Sequence, residues 1–287
     1  MLSFNCPLTD EPPAVSADIA KGLAGDPLQL HYDPELIAAA AETARRQRNS
    51  RIYRLPFCHC LEAEAFGAVP VLSFDGGRIK DVPYSSIQEI PSRADLSNPR
   101  LSAMMEAMDM LKSNYPENTI AFDLMGPFTV LSELIPLSML YRNARKEDFP
   151  ELCSSISVEL IKMAKMAFEH GAEILSVADN VATIDLTGAS FFNSFYLPLF
   201  YRYLDGLKKT VPDALIFICG KLSQGLTDSE LFTLSRIDFG EADPGKPRLY
   251  EDLLLEYMKN EEKEMVCQGC LNMLGARSNR LFTIKIN

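Results

Sequence analysis

Residues 214–221 read ALIFICGK, an apolar run of strand-forming side chains that ends at Cys219 and Gly220. A short apolar run that stops at glycine predicts a buried strand. A thiol at its end has two interpretations. Cysteine is a small apolar side chain that is often buried for packing alone. Strand ends of α/β proteins also carry functional groups, and a thiolate is a soft metal ligand.

Seven further segments have strand character, and helical patterns separate most of them. They are 51–57, 69–74, 118–128, 173–179, 233–239, 264–269 and 281–287. Strands that alternate with helices predict βα units and a mostly parallel sheet. The alternative is an open doubly wound sheet, but no Gly-x-Gly-x-x-Gly follows any of these strands. We therefore expect an α/β protein with a (β/α)8 TIM-type barrel.

The first 48 residues differ from the rest in their proline content. Residues 1–33 carry four prolines and predict an irregular arm. Asp33 and Pro34 then predict the start of a helix that reaches about Gln47, with Asp33 as the N-cap. We expect an arm and leading helix over 1–48, and one barrel domain over 49–287.

Composition excludes several classes of function. The chain of 287 residues has a formal net charge of −11, so the basic face of a nucleic-acid-binding protein is not expected. Its apolar runs are too short for a membrane span, and the acidic N-terminal stretch does not resemble a signal peptide. Seven cysteines, an odd number, fit a reduced compartment. We expect a cytoplasmic protein, as a monomer or homodimer.

Most of the cysteines follow predicted strands. Because active-site groups of barrels project from the C-terminal strand ends, these positions are candidates for chemistry. They are Cys58, His59 and Cys60; Asp123 to Pro127; Asp179 and Asn180; Cys219; Asp238 to Glu241; and Cys267 and Cys270. Thiols gathered at strand ends favour a zinc site with a position left open. Cys267 and Cys270 alone, as one Cys-x-x-Cys pair, do not predict a zinc finger.

Five stretches resemble the uroporphyrinogen decarboxylase superfamily and, within it, the corrinoid-linked methyltransferases. They are LPFCHCLEAEAFGA (55–68), DLMGPFTVLSEL (123–134), FEHGAEILSVADN (168–180), ICGKLSQGL (218–226) and VCQGCLN (266–272). The resemblance implies a barrel and a methyltransferase that takes a methyl group from a methylcorrinoid on a partner protein. It implies tetrahydrofolate or a thiol such as coenzyme M as the acceptor.

The same resemblance implies zinc ligands. The branch has a His-x-Cys motif followed by a distant cysteine, and the two cysteines fall on Cys219 and Cys270. Phe217 occupies the histidine position, and a phenyl ring cannot bind a metal. A third ligand is therefore sought among Asp179, Glu241 and Cys58.

The other strand-end residues are assigned to the substrate. With tetrahydrofolate as acceptor, Asp179 and Asn180 would hydrogen-bond the pterin, and Phe217 favours that acceptor over a thiol. Asp179 has a second interpretation, as a cap of the next segment. His59, Asp123 and Gly126 are candidate substrate-binding residues, although Gly126 followed by proline also fits a rigid turn.

Two other functions remain open. One is decarboxylation of a porphyrinogen, but the arginine-rich RQAGR signature of that enzyme is absent, and this acidic chain offers few cations for a polycarboxylate. The other is a non-catalytic scaffold of a corrinoid system. A tightly held corrinoid is not expected, because the chain has no Asp-x-His-x-x-Gly motif.

Overall fold

A computed structural model describes residues 14–74, 76–146, 148–240 and 247–287. The strands are β1 (Ile52–Leu55), β2 (Pro70–Ser73), β3 (Gly76–Ile79), β4 (Thr119–Met125), β5 (Ala172–Ala178), β6 (Leu215–Cys219), β7 (Phe232–Asp238), β8 (Arg248–Leu249), β9 (Met265–Gly269), β10 (Arg277–Ser278) and β11 (Arg280–Ile286). The helices are α1 (Ala17–Leu23), α2 (Pro27–Tyr32), α3 (Pro34–Gln47), α4 (Leu61–Ala65), α5 (Pro99–Asn114), α6 (Pro127–Leu134), α7 (Leu137–Asn143), α8 (Phe149–Glu169), α9 (Ile184–Thr187), α10 (Ala189–Phe191), α11 (Leu197–Thr210), α12 (Gly220–Leu226) and α13 (Tyr250–Tyr257).

Seven strands form the central sheet in the order β1-β4-β5-β6-β9-β11-β7. The first five are parallel, so their C-terminal ends meet at one edge. Strand β11 is antiparallel to both of its neighbours. The predicted α/β class with a mostly parallel sheet is confirmed.

One predicted strand does not join this sheet. The segment around β2 pairs with β3 as a separate antiparallel hairpin. Side chains of this segment, Val71 among them, are exposed to solvent. A strand of the barrel would be buried on both faces, so the apolar character of residues 69–74 does not indicate a barrel strand. Assigning it to the barrel was wrong.

Successive strand residues alternate between two apolar clusters, one on each face of the sheet. On one face, Phe122, Leu175 and Ile216 belong to the large cluster that includes residues of α3, α5, α8 and α11. On the other face, α13 packs with the strands. That smaller cluster joins Leu253, Leu254 and Tyr257 to Ile52, Ala121, Ile174, Leu215, Phe217 and Val266.

The segment before β1 is more regular than expected. Ser16 and Asp26 cap α1 and α2 through their side chains, and Asp33 caps α3 as predicted. Pro27, the one proline within 14–33, begins α2, and describing this part of the arm as irregular was wrong. Within the described ranges, no helix is long and apolar enough to cross a membrane. The domain boundary near residue 48 stays a prediction.

Candidate functional site

The thiols of Cys219 and Cys270 lie at the ends of neighbouring parallel strands. Cys219 ends β6 and is in register with Gly269, the last residue of β9. Neighbouring strands are about 4.8 Å apart, so the backbone of Cys270, one residue after Gly269, lies close to the end of β6. Both side chains are partly exposed. The register thus places the two cysteines at neighbouring strand ends, although they are far apart in the chain.

A bulge in β9 produces this register. Phe217 is paired with Val266 and Cys219 with Gly269, so β9 has one residue more than β6 between the two pairs. Gln268 has φ 55°, the left-handed conformation typical of such a bulge, and its N–H donates to the Ser223 hydroxyl at 3.1 Å. The bulge therefore determines where Cys270 leaves the sheet.

Aromatic rings fill the space beside Gly269, the residue in register with Cys219. The Phe217 and Tyr250 rings lie edge to face, with centroids 6.4 Å apart. A Cβ on Gly269 would lie 2.1 Å from the Tyr250 hydroxyl oxygen and 3.0 Å from Phe217 Cζ, so only glycine fits there. Burial, followed by the charges of Cys267 and Cys270, raises the pKa of Tyr250. Phe217 is thus a packing residue at the position where the resemblance implies histidine.

The residues that the structure describes do not complete a zinc site. They contain no group of three His, Cys, Asp or Glu side chains placed to hold a metal ion. Catalytic zinc needs three protein ligands, and Cys219 and Cys270 provide at most two. Of the candidates for the third, Glu241 lies outside the described residues, and Asp179 and Cys58 have the other contacts described below.

Asp179 is completely buried after β5 and binds the start of α6. Its Oδ1 accepts hydrogen bonds from the Thr129 N–H at 2.6 Å and the Thr129 hydroxyl at 2.7 Å. Its Oδ2 accepts from the Phe128 N–H and the Tyr196 hydroxyl, both at 3.1 Å. Burial raises the pKa of Asp179 to about 6, although these four donors oppose the shift. The Asp179 carboxylate thus caps α6, which precedes it in the chain. It makes no side-chain cap hydrogen bond to the turn that follows it, so the interpretation as a cap of the next segment was wrong.

The close approach of Asp179 to α6 also requires glycine at position 126. Its N–H donates to the Ala178 carbonyl oxygen at 2.7 Å, and a Cβ there would lie 2.5 Å from the Asp179 carboxylate. Gly126 therefore allows the ends of β4 and β5 to approach closely. Its neighbour in sequence, Pro127, begins α6 at the first helical position.

The remaining candidates differ in exposure. Asn180 is exposed and begins a short turn after β5. Asp123 is buried and in register with Ser176. His59 is exposed, and its charge favours the ionised form of Glu62. Their assignment to the substrate stays a prediction.

The segment after β1 forms a second cluster, around a buried arginine. Arg100 of α5 is 1% exposed, and its Nη1 donates to Cys58 Sγ at 2.8 Å. Its Nη2 lies 3.6 Å from Cys60 Sγ, and its Nε donates to the Glu64 carboxylate. The hydrogen bond from Cys60, and then the charge of Arg100, hold the pKa of Cys58 well below its ordinary value against the effect of burial.

Two carboxyl groups adjoin this cluster. Glu62 is buried, and its Oε1 accepts from the Met125 N–H at 2.9 Å, whereas its Oε2 has no partner in the described structure. Glu133 Oε2 is also buried without a partner there. Burial, followed by the charges of Glu62 and Cys58, raises the pKa of Glu133 to about 8. Glu133 is therefore protonated at neutral pH.

Sequence reasoning did not identify Arg100, Glu62 or Glu133. The one available signal was the pair of acidic residues in the apolar helix LEAEAF directly after the two thiols. No local pattern indicates that Arg100, forty positions further on, reaches back to them.

A cavity of about 520 Å³ lies beside β1 and the segment that follows Cys270. Arg54 and Asn272 line it, and each has a buried atom, Nε and Oδ1 respectively, without a partner in the described part of the chain. Ile52, Leu249 and Leu271 provide apolar walls. Such a cavity suits a small ligand with both polar and apolar parts.

Comparisons with known proteins agree with this architecture. The methylcobamide:CoM methyltransferase MtbA of Methanosarcina acetivorans is 26% identical over 210 residues, which are 69% of this chain and 60% of that protein. MtaA of Methanosarcina barkeri, also a methylcobamide:CoM methyltransferase, is 27% identical over 211 residues, covering 70% and 60%. The chain thus spans about 60% of the length of these curated relatives.

A solved structure shares the fold. It is a methyltransferase from Methanosarcina mazei with a TM-score of 0.63 and 20% sequence identity, covering 72% of this chain and 63% of that one. The profile of the uroporphyrinogen decarboxylase (URO-D) family matches residues 14–262. This family has a TIM-barrel fold, so the predicted barrel class is confirmed. The chain belongs to the uroporphyrinogen decarboxylase (URO-D) family.

Proposed function

We propose that this protein transfers a methyl group from a methylcorrinoid, carried by a partner protein, to a small thiol. The observation that carries the proposal is the register that places Cys219 and Cys270 at neighbouring strand ends in a chain similar to methylcobamide:CoM methyltransferases. The cavity with the unpartnered Arg54 and Asn272 atoms has room for a small acceptor, and neither Cys219 nor Cys270 lines it.

The reaction requires an activated thiol nucleophile and the exclusion of water from the reacting atoms. The acceptor thiol loses its proton, its sulfur bonds to the methyl carbon, and the cobalt–carbon bond breaks with the electron pair left on the corrinoid. The corrinoid supplies the leaving group, so the protein's contribution is to orient the acceptor and shield it from water. Arg54 provides a cationic group for an acceptor that carries an anionic end.

Two observations favour a thiol over tetrahydrofolate. The relatives are named for a thiol acceptor. In addition, all four hydrogen bonds of Asp179 go to protein donors, so its carboxylate is not presented to a pterin. Tetrahydrofolate therefore becomes the second acceptor to test, with Asn180 as its candidate contact.

The proposal includes zinc only as a metal for which two candidate thiolate ligands are present. Cys219 and Cys270 provide soft donors, and a third ligand has to come from residues such as Glu241 that the structure does not describe. No step above depends on the metal. Measuring the zinc content of the purified chain tests this part separately. The cytoplasmic location and the oligomeric state stay predictions.

The test uses free methylcob(III)alamin as donor and the purified chain. Loss of the methylcobalamin absorbance is followed with 2-mercaptoethanesulfonate or tetrahydrofolate as acceptor, and the methylated product is identified by mass. We expect protein-dependent methylation of the thiol. If neither acceptor supports demethylation of methylcobalamin, the proposal is contradicted. Consumption of uroporphyrinogen III would favour the decarboxylase alternative. Absence of all three reactions would favour the scaffold.

A further inference from the structure

We propose that Cys58 and Cys60 form a reversible dithiol/disulfide centre, separate from the thiols of β6 and β9. The two sulfurs lie 3.4 Å apart, and only His59 separates the residues in the chain. A disulfide bond is about 2.05 Å long, so the sulfurs need to approach by about 1.4 Å. No step of the proposed methyl transfer uses this pair.

The charges around the pair give its two sulfurs different roles. Cys60 donates its S–H to Cys58, and Arg100 Nη1 donates to the same Cys58 sulfur at 2.8 Å. A sulfur that accepts from both a thiol and a guanidinium is stabilised as the thiolate, which is the reactive form. Donation to Cys58 and burial raise the pKa of Cys60, so Cys60 keeps its proton. Cys58 is therefore the nucleophile and Cys60 the resolving thiol.

The position of Arg100 is itself held by a network. Its Nε is paired with the Glu64 carboxylate, and Glu64 also accepts from the Tyr32 hydroxyl at 2.7 Å. A buried guanidinium is costly unless anionic partners surround it, and a Cys58 thiolate is the second such partner. Apolar packing of two thiols does not explain why a buried guanidinium lies beside both sulfurs.

The oxidant is a peroxide. The Cys58 thiolate attacks one peroxide oxygen, a sulfur–oxygen bond forms, and the oxygen–oxygen bond breaks, leaving sulfenic acid and a hydroxide that becomes water. The Cys60 sulfur then attacks Cys58, the sulfur–oxygen bond breaks, and the Cys60 proton leaves with that oxygen as a second water. The dithiol loses two electrons and the peroxide gains them. A small thiol, present in excess, reverses the change by disulfide exchange.

The sequence offers a direct readout. Trypsin cleavage after Arg54 and Arg78 gives a peptide, 55–78, whose only cysteines are Cys58 and Cys60. The folded, reduced full chain is treated with hydrogen peroxide, unfolded in the presence of iodoacetamide and digested. We expect this peptide to be lighter than the dithiol form by two hydrogens, without alkyl groups, and to return to the dithiol form after thiol reduction.

Variants separate the roles of the two sulfurs. Cys60→Ser should stop the reaction at a Cys58 sulfenic acid, which dimedone traps, whereas Cys58→Ser should leave Cys60 unreactive. Arg100→Met should slow disulfide formation about tenfold or more, because it removes the cation that stabilises the thiolate. Cys153→Ser is the control, since Cys153 is buried elsewhere and should not affect the rate.

Because Arg100 is buried, thermal unfolding is used to check that the Arg100→Met protein is folded. Disulfide formation in the wild-type 55–78 peptide tests the proposal independently of this variant. A 55–78 peptide that carries two alkyl groups after peroxide treatment of the folded chain would overturn the proposal. The same holds if the peptide is oxidised at Cys58 beyond sulfenic acid with no disulfide, or if Cys60 reacts equally well in Cys58→Ser.

Discussion

The Asp179 carboxylate accepts a hydrogen bond from the Thr129 N–H at 2.6 Å, which joins the end of β5 to the first turn of α6. Removing a buried acceptor leaves donors unsatisfied, whereas removing an exposed one does not. We expect Asp179→Ala to lower the free energy of unfolding by about 2–4 kcal/mol. Asp33→Ala, which removes the exposed cap of α3, should cost about 0.5–2 kcal/mol. Urea unfolding measures both, and equal costs would contradict the buried-cap assignment.

Gly126 is expected to tolerate no side chain. A Cβ there would lie 2.5 Å from the Asp179 carboxylate, so Gly126→Ala must push β4 and β5 apart. We expect a loss of about 2 kcal/mol or more in the free energy of unfolding. Gly22→Ala is the control, because nothing lies within 4 Å of its Cβ and alanine favours the helix. A Gly126→Ala protein as stable as wild type would show that the strand ends can separate freely.

Glu133 gives the stability a pH dependence of known sign. The unfolded chain loses the Glu133 proton near 4.5, whereas the folded chain keeps it until about pH 8. Unfolding therefore releases a proton between these values, and the free energy of unfolding falls as pH rises from 4.5 to 8.

Glu133→Gln removes this dependence. The variant should gain stability over wild type as pH rises, reaching roughly 1–3 kcal/mol near pH 8 after allowance for partial exposure, and the gain should then level off. Glu261→Gln, at an exposed position, should show no such trend. Thermal unfolding from pH 5 to 9 measures the difference, and parallel curves for Glu133→Gln and wild type would disprove it.

Phe217 is the clearest point at which this chain departs from the methyltransferases it resembles. Phe217 and Cys219 are two apart on β6, but Phe217 belongs to the smaller apolar cluster, whereas Cys219 packs against the large one. Phe217→His restores the histidine that the resemblance implies and should raise the zinc content of the purified protein. Phe232→His, the same change on β7, should not. Elemental analysis compares them, and unchanged zinc in a folded Phe217→His protein would contradict the implied motif.

The sequence predicted the strand ends well because burial and glycine mark them locally. ALIFICGK predicted β6 and its end at Cys219 correctly, and DLMGPF predicted the turn from β4 into α6. The hairpin of β2 and β3 was not predicted, because a four-residue apolar run does not show whether it pairs with the central sheet or with its neighbour.

The cluster around Arg100 could not be predicted for a different reason. Its contacts with Cys58 and Cys60 join positions about forty apart, and nothing in the helical pattern of α5 distinguishes a buried arginine from a solvated one. Likewise, the carboxylate of Asp179 was assigned to catalysis or capping with equal reason until its four donors were located. Cys267 is buried in the large apolar cluster, and Cys219 packs against the same cluster.

The most direct test of the proposed function is the rate of thiol methylation from methylcob(III)alamin by Cys219→Ser, with Cys153→Ser as the matched control. Both changes replace a thiol with a hydroxyl of similar size, but only Cys219 lies at the end of a central strand, in register with the residue before Cys270. We expect Cys219→Ser to lower the rate about tenfold or more, equivalent to at least about 1.4 kcal/mol of barrier, with unchanged thermal stability, and Cys153→Ser to keep the wild-type rate. A folded Cys219→Ser protein that methylates the thiol at the wild-type rate would contradict the account.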